Sequence, residues 1–308
     1  MKIISLGAHI LDVLARPVDT IPPGQGSALV EQIKVTAAGT AGGTAVTLAK
    51  LGAEVFSAGA VGPDAAGRML RMLLEDHGIS TAHLRVLADL QTSMSVLPIR
   101  PNGERPALHV VGATAAYPVE ELPAELFAEV TYLHLGGPEF FGGAVSASVL
   151  SRARRHGVVT SADLLAPGNP GLLDWIAEAL PHLDYLLPND EQVLGLTGAA
   201  TLLDGCRALV DRGVGCVAAT AGAEGALVVT RDGHTAVPAF EVSVVDTTGC
   251  GDAFSAGFLR AVALGRSPDV AARLGCAVAG LVAGGLGSDY GDFDFASADK
   301  FARSAVTR

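Results

Sequence analysis

The 308-residue chain predicts an α/β fold: a mostly parallel central sheet flanked by helices, with a small antiparallel β lid. Three observations predict it. Short apolar runs alternate with helix-length segments along most of the chain. Several of those runs are apolar almost throughout, as strands covered on both faces must be. Two turn-rich stretches of alternating residues then break the rhythm. Strand and helix in alternation imply right-handed crossovers, and crossovers imply parallel pairing.

Each element follows from its local pattern. Strands are expected at "KIISLG" from Lys2, "EVFSAGAVG" from Glu54, "TYLHLGG" from Thr131, "VVTSADL" from Val158, "DYLLPN" from Asp184 and "VGCVAAT" from Val214. Helices are expected over 41–51, 65–77, 144–156, 191–196 and 202–212. The interruptions, 16–39 and 91–113, read as antiparallel ribbon, and Asn102-Gly103 is a strong hairpin signal. Neither ribbon is large enough for a core of its own. Together, as about 13–38 and 91–113, they are expected to pair into a lid over one domain spanning 1–308. No fixed-period repeat or Pro/Gly/Ser linker divides the chain.

A chain of this length buries roughly three quarters of its unfolded surface, so its core needs no staples. The net charge of −11 argues against a nucleic-acid partner, because neutralising phosphates takes a basic stripe. The cluster "RARRHG", from Arg152, suits the cationic last turn of a helix. The four cysteines show no C-x-x-C spacing and no disulfide framework, which suggests a reducing, cytoplasmic home. The apolar start is too short and interrupted to span a membrane, and reads as a buried first strand. The eight histidines lack metal-ligand spacing, although His109 and His134 are candidates to line a cleft. Trp175, the only tryptophan, is expected to be a packing anchor.

The chemistry concentrates in "VVDTTGCGDAFSAGF", Val244 to Phe258. Upstream, "FEVSVV" alternates like a strand; downstream, apolar residues recur with helical spacing. Gly249, Cys250 and Gly251 therefore fall at a strand-to-helix junction. First-turn N–H groups have no internal acceptor and the helix dipole adds positive potential, so small residues there make a phosphate seat. Asp252 follows in the first turn, placed to take a proton from a hydroxyl that attacks a phosphoryl group.

The segment resembles the C-terminal signature of the ribokinase family, the PfkB-type carbohydrate kinases, whose pattern is D-T-x-G-A-G-D. Other landmarks follow in order along essentially the whole chain. "GAHILDVL" resembles the first strand with its substrate-binding aspartate, here Asp12, and "AGTAGGTAVTLAKLGAEVFSAGAVG" the N-terminal signature. "YLLPNDEQVLGLTG" resembles the asparagine/glutamate motif, and "ATAGAEGALV" the nucleotide-side T-x-G-x-x-G. The resemblance implies a ribokinase-like fold and transfer of the γ-phosphate of ATP to an alcohol. It makes Asp252 the general base and the N–H groups of Gly249, Cys250 and Gly251 the anion hole. It places Thr220, Gly222 and Gly225 at the ATP phosphates. Asn189 and Gln192 fall where the family organises Mg²⁺ through water, with Gln192 in place of the usual glutamate; Glu191 beside it would point about 100° away on a helix. Asp246 falls near the family's monovalent-cation site, so K⁺ is a further expectation.

At the substrate end the family pattern G-G-N-x-x-N becomes Ala38 to Gly43, with Thr40 and Gly43 in place of the asparagines. Asp12 and Gly39 are kept, and Arg105 lies either over the substrate or at a solvated hairpin tip. The acceptor is then a sugar or a nucleoside, contacted differently at Gly43 or with a larger aglycone filling that space. Relatives often dimerise through the lid, so a homodimer is expected. Two rival classes remain to be set aside. A nicotinamide oxidoreductase needs G-x-G-x-x-G after a strand, and neither "SLGAHILD" nor "TAGAEGAL" has that spacing. A catalytically weak nucleotide- or sugar-binding relative is the other, motivated by Gln192.

Overall fold

The computed structural model describes residues 1–308. The N-terminal half runs β1 (Lys2–Gly7), β2 (Ile10–Arg16), β3 (Gln32–Ala38), α1 (Gly42–Lys50), β4 (Glu54–Val61), α2 (Ala65–Asp76), β5 (Ser80–Val86), β6 (Met94–Pro98) and β7 (Leu108–Val110). It continues through α3 (Ala124–Glu129), β8 (Tyr132–Gly136), α4 (Gly142–Arg155), β9 (Val159–Asp163), α5 (Pro170–Ile176) and β10 (Tyr185–Leu186). The C-terminal part comprises α6 (Asp190–Thr197), α7 (Leu202–Asp211), β11 (Cys216–Thr220), β12 (Ala226–Thr230), β13 (Gly233–Val237), α8 (Cys250–Val262), α9 (Pro268–Ala283) and α10 (Phe295–Ser304).

The continuous apolar runs become the interior of a nine-stranded sheet ordered β13-β12-β11-β10-β9-β8-β1-β4-β5. Pairing is parallel from β5 to β11 and antiparallel only at β12 and β13. β1 is buried along its length after Lys2 because α1 and α8 cover one face and α3 and α4 the other. Strand order reverses around β1. Open α/β sheets bind ligands at such a reversal, beyond the carboxyl ends of their strands. Asp163 ends β9, Thr220 ends β11, and Asn189 lies just beyond β10, so one rim of the sheet gathers residues from distant parts of the sequence.

The lid is a four-stranded sheet, β3-β2-β6-β7, and it is mixed rather than purely antiparallel. β2 pairs antiparallel with β3 and parallel with β6. The reason is connectivity: β2 leaves the main sheet directly from β1, and β6 leaves it after β5, so both exit in the same direction. The Asn102-Gly103 turn does close a hairpin, between the antiparallel β6 and β7. Alternation splits the lid into two faces. Asp12, Ser95 and His109 stand in register on the side facing the main domain, and Val13, Val96 and Leu108 on the other.

The stretch Phe240 to Val245 is not a strand, although it alternates. Its only bridge is Phe240 to Thr307, and the Glu241 N–H donates to the Val306 carbonyl, so the C-terminal tail satisfies it instead of a sheet neighbour. Trp175 is 57% exposed; its ring lies against Gly142 and its N–H donates to the Glu139 carbonyl, so it caps a surface rather than anchoring the core. All four cysteines are free thiols, and no single helix is long and apolar enough to cross a membrane.

Candidate active site

The turn before α8 is held from below by Asp246. Its carboxylate is fully buried and accepts from the Thr248 N–H (3.0 Å) and hydroxyl (2.8 Å) and from the Gly287 N–H (3.0 Å). Gly249 then takes a left-handed φ of 76°, and a Cβ there would lie 2.4 Å from the Ser288 Cβ. Both facts demand glycine. The turn leaves the N–H groups of Gly249, Gly251 and Asp252 without any acceptor in the protein, whereas the Cys250 N–H donates to the Thr247 carbonyl at 3.2 Å. The open amides are therefore those of 249, 251 and 252, not the 249–251 run. A Cβ at Gly251 would meet nothing, so this amide stands clear for an anion. The Cys250 thiol points away, toward the Ala279 carbonyl, and burial pushes it up to about 12, which keeps it neutral.

Two cavities meet over this turn. Thr220, Gly222, Thr247, Cys250 and Gly251 line both. The first, of about 320 Å³, is walled mainly by apolar side chains, including Val242, Val244, Phe254, Ala279 and Ala283. Gly225 closes its edge with a φ of 93°, where a Cβ would strike the Val237 carbonyl at 2.0 Å. The second, of about 860 Å³, lies under the lid and is lined by Asp12, Gly39, Thr40, Arg105, His109, Asp163 and Asp252 among others.

Asp252 lines the second cavity, one residue beyond Gly251, which lines both. Burial pushes its carboxyl up to about 7; the negative charge of Asp12 adds to the rise and the Arg105 guanidinium opposes it. A base poised near neutrality suits proton transfer from an alcohol. Asp12 is pushed up to about 6, again chiefly by burial. Its Oδ1 and the Thr40 hydroxyl are buried with no partner. Buried polar atoms are normally paired, so two orphans in one cavity wall mark where a polyol's hydroxyls would bond. Arg105, exposed at the tip of the lid, donates from Nε to the Thr247 hydroxyl at 3.2 Å and so spans the seam between the cavities.

Some placements differ from the sequence reading. Gly43 lines neither cavity; the space beside it is taken by the Asp252 side chain. His109 lines the second cavity and bonds Ser95, but His134 is buried between Ser161 and the Thr40 carbonyl, where it fixes the loop after β3. Asn189 and Gln192 form a reciprocal cap on α6: each side-chain oxygen accepts from the other's N–H, at 2.8 and 2.9 Å. The Gln192 amide nitrogen donates to the carbonyls of Leu164 (2.8 Å) and Ala166 (3.2 Å). Gln192 is thus committed to the main chain at both ends. The neighbouring carboxylates of Asp190 and Glu191 do line the cavity. Asp163 was not singled out by sequence. It is buried at the end of β9, accepts from the Ser255 hydroxyl one turn beyond Asp252, and is held well above the usual carboxylate range by burial and by the charge of Asp252.

An apolar slot, a nest of open amides, a carboxylate near neutrality and a lidded polyol cavity define a phosphotransferase that takes an alcohol as acceptor. The model of the "pfkB family carbohydrate kinase" matches residues 1–292, and the chain belongs to that family. It is similar to the ATP-dependent ribose-1-phosphate kinase of Halopiger xanaduensis, 31% identical over 84% of both chains. It is also similar to the aminoimidazole riboside kinase of Salmonella typhimurium, 31% identical over 79% of this chain and 77% of that one. Among solved structures, one from E. coli attributed to a ribokinase II and holding ATP and Mg²⁺ superposes with a TM-score of 0.85, covering 98% of this chain and 99% of that one at 19% identity. The protein is an ATP-dependent sugar or riboside kinase with a ribokinase-like fold.

Proposed function

We propose that this kinase phosphorylates a hydroxymethyl group of an uncharged sugar or riboside, with Asp252 as general base. The observation that carries the proposal is that Asp252 lines the second cavity next to Gly251, whose open amide lies where both cavities meet. ATP enters with its base in the apolar slot and its phosphates along Thr220, Gly222 and Gly225. The acceptor lies under the lid with hydroxyls on Asp12 and Thr40, against the backbone at Gly39, and with Arg105 above. Asp252 removes the proton as the hydroxyl oxygen attacks phosphorus. The amides of Gly249 and Gly251 and the Arg105 guanidinium receive the moving charge. Positioning and charge stabilisation are most of what phosphoryl transfer needs.

The acceptor is assigned as uncharged because Asp12, Asp163, Asp190, Glu191 and Asp252 line its cavity against one guanidinium, Arg105. Recognition of a sugar phosphate asks for a cluster of cations. Mg²⁺ neutralises the ATP phosphates when bound and keeps several waters. With Asn189 and Gln192 committed to capping α6, the carboxylates of Asp190 and Glu191 are the chain's available partners for that hydrated ion. Asp246 already accepts three hydrogen bonds, so K⁺ is expected to be dispensable, which exchange of K⁺ for Na⁺ checks directly. Residues 1–308 act as one unit, with 13–38 and 91–113 closing over the acceptor. The outer face of the lid exposes Ile33, Val96 and Leu108, and pairing two such faces makes a homodimer.

The deciding experiment measures ADP release with free pentoses and hexoses, with nucleosides, and with ribose 1-phosphate and fructose 1-phosphate. The proposal expects kcat/KM for a neutral polyol to exceed that for the phosphorylated sugars at least tenfold. Preference for a sugar phosphate would overturn the acceptor class, and ATP binding without turnover on any acceptor would overturn the mechanism.

A further inference from the structure

Gly43 has no evident duty as a glycine. It is the second residue of α1, at an ordinary helical position rather than in the left-handed region. Alanine is favoured over glycine in a helix by up to about 1 kcal/mol, so the helix itself would be better served by a side chain. What a side chain would meet is specific. A Cβ at Gly43 would lie 2.3 Å from Asp252 Oδ2, 2.8 Å from its Cγ and 3.1 Å from its Cβ. All three nearest atoms belong to one side chain, and it is the general base. None of the other glycines is crowded by a carboxylate of the reaction centre. The neighbouring Gly42 would meet His9 at 3.5 Å and the Ala8 carbonyl at 3.9 Å, both ordinary contacts.

We infer that Gly43 is a positioning residue: its missing side chain is the seat in which the Asp252 carboxylate rests while it faces the acceptor. This rests on the reading of Asp252 as the base. Side chains occupy staggered wells. A Cβ that overlaps Cγ and Oδ2 together cannot be accommodated by a slight tilt, so Asp252 must leave its rotamer and carry the carboxylate away from the seam. Serine or asparagine fills the same space with more atoms. The family pattern places asparagine here to hold acceptor hydroxyls; in this chain that volume belongs to the base, and acceptor recognition falls to Asp12 and Thr40.

A packing role for Gly43 between α1 and α8 would give a different result, because a side chain forced between helices costs stability. The test is therefore a comparison of Gly43→Ala, Gly43→Ser and Asp252→Asn, with Gly42→Ala as the helix-propensity control. For each, kcat, KM for ATP, the pH profile and the melting temperature are measured. Gly43→Ala should lose at least tenfold in kcat, toward the roughly 10²–10⁴ that general base catalysis supplies. Its KM for ATP should hold, and its melting temperature should stay level or rise, as in Gly42→Ala. Gly43→Ser should lose more. The midpoint of its pH profile, expected near 7 in the parent, should move down as the carboxylate gains solvent. Wild-type kcat in Gly43→Ala, or a kcat loss that tracks a fall in melting temperature, overturns the inference. If Asp252→Asn is inactive but Gly43→Ala is not, only the seat is refuted. If Asp252→Asn stays active, the assignment of the base fails first.

Discussion

The two cavities that meet at Thr247 are built on opposite principles. The proposed nucleotide side is made of main chain and mostly apolar side chains, with Gly222 and Gly225 in left-handed conformations that leave the backbone bare. The acceptor side is made of ionisable side chains held above their ordinary pKa and of polar atoms without partners. The difference teaches where specificity resides. A phosphate chain is recognised by amides that any sequence could supply in that conformation. A polyol is recognised by particular side chains, and those are placed by a sheet and a lid from different parts of the chain.

The strongest way to separate the two sides is Asp252→Asn, which should lower kcat by about 10³-fold or more, while ATP binding by calorimetry stays intact. The same variant should melt higher than the parent. Burial raises the folded-state pKa of Asp252 from 3.8 to about 7, so the folded state is penalised increasingly as pH rises through that window. The gain in melting temperature should therefore be larger at pH 8 than at pH 5. Next in size, Asp12→Ala should cut kcat/KM for the acceptor by about 10²-fold, the scale of one or two hydrogen bonds to charge, with KM for ATP unchanged. A rise in KM for ATP of similar size would erase the division between the two sides.

Smaller effects sharpen it. Activity should climb with pH through a midpoint near 7 and level off only well above it, because the proposed base, Asp252, must be ionised to act. Arg105→Ala removes the cation that opposes the rise, so the midpoint of that profile should move to higher pH. An unchanged midpoint would show that Arg105 is a solvated tip. Gln192→Glu, which restores the family residue, should lower thermal stability by about 1–3 kcal/mol rather than improve use of Mg²⁺, because a carboxylate would face the carbonyls of Leu164 and Ala166.

Much of this was legible in the sequence wherever a local pattern carries its own physics. The continuous apolar strands, the Asn102-Gly103 turn and the glycines around Asp252 declare burial, reversal and anion affinity within a few residues of chain. Direction is not local: alternation in β2 and β6 says that each is a strand but not that they run parallel. Nor is partnership, since Phe240 to Val245 alternates like a strand yet pairs chiefly with the C-terminal tail. Asp163 reads as the end of an apolar run, and its meaning comes from Ser255 on a helix 92 positions away. Gly43 reads as a lost hydroxyl clasp until the carboxylate beside it is seen.

The bond from Arg105 to Thr247 has a consequence for waste. The cation that keeps Asp252 from rising further belongs to the lid, not to the floor. Asp12 in β2 belongs to the lid as well, and burial together with its charge outweighs Arg105, so with the lid raised the carboxylate would be a weaker base with little strength to activate a stray water against ATP. In such an arrangement the proposed base would be strongest beneath a lowered cover, and idle consumption of the fuel would stay low.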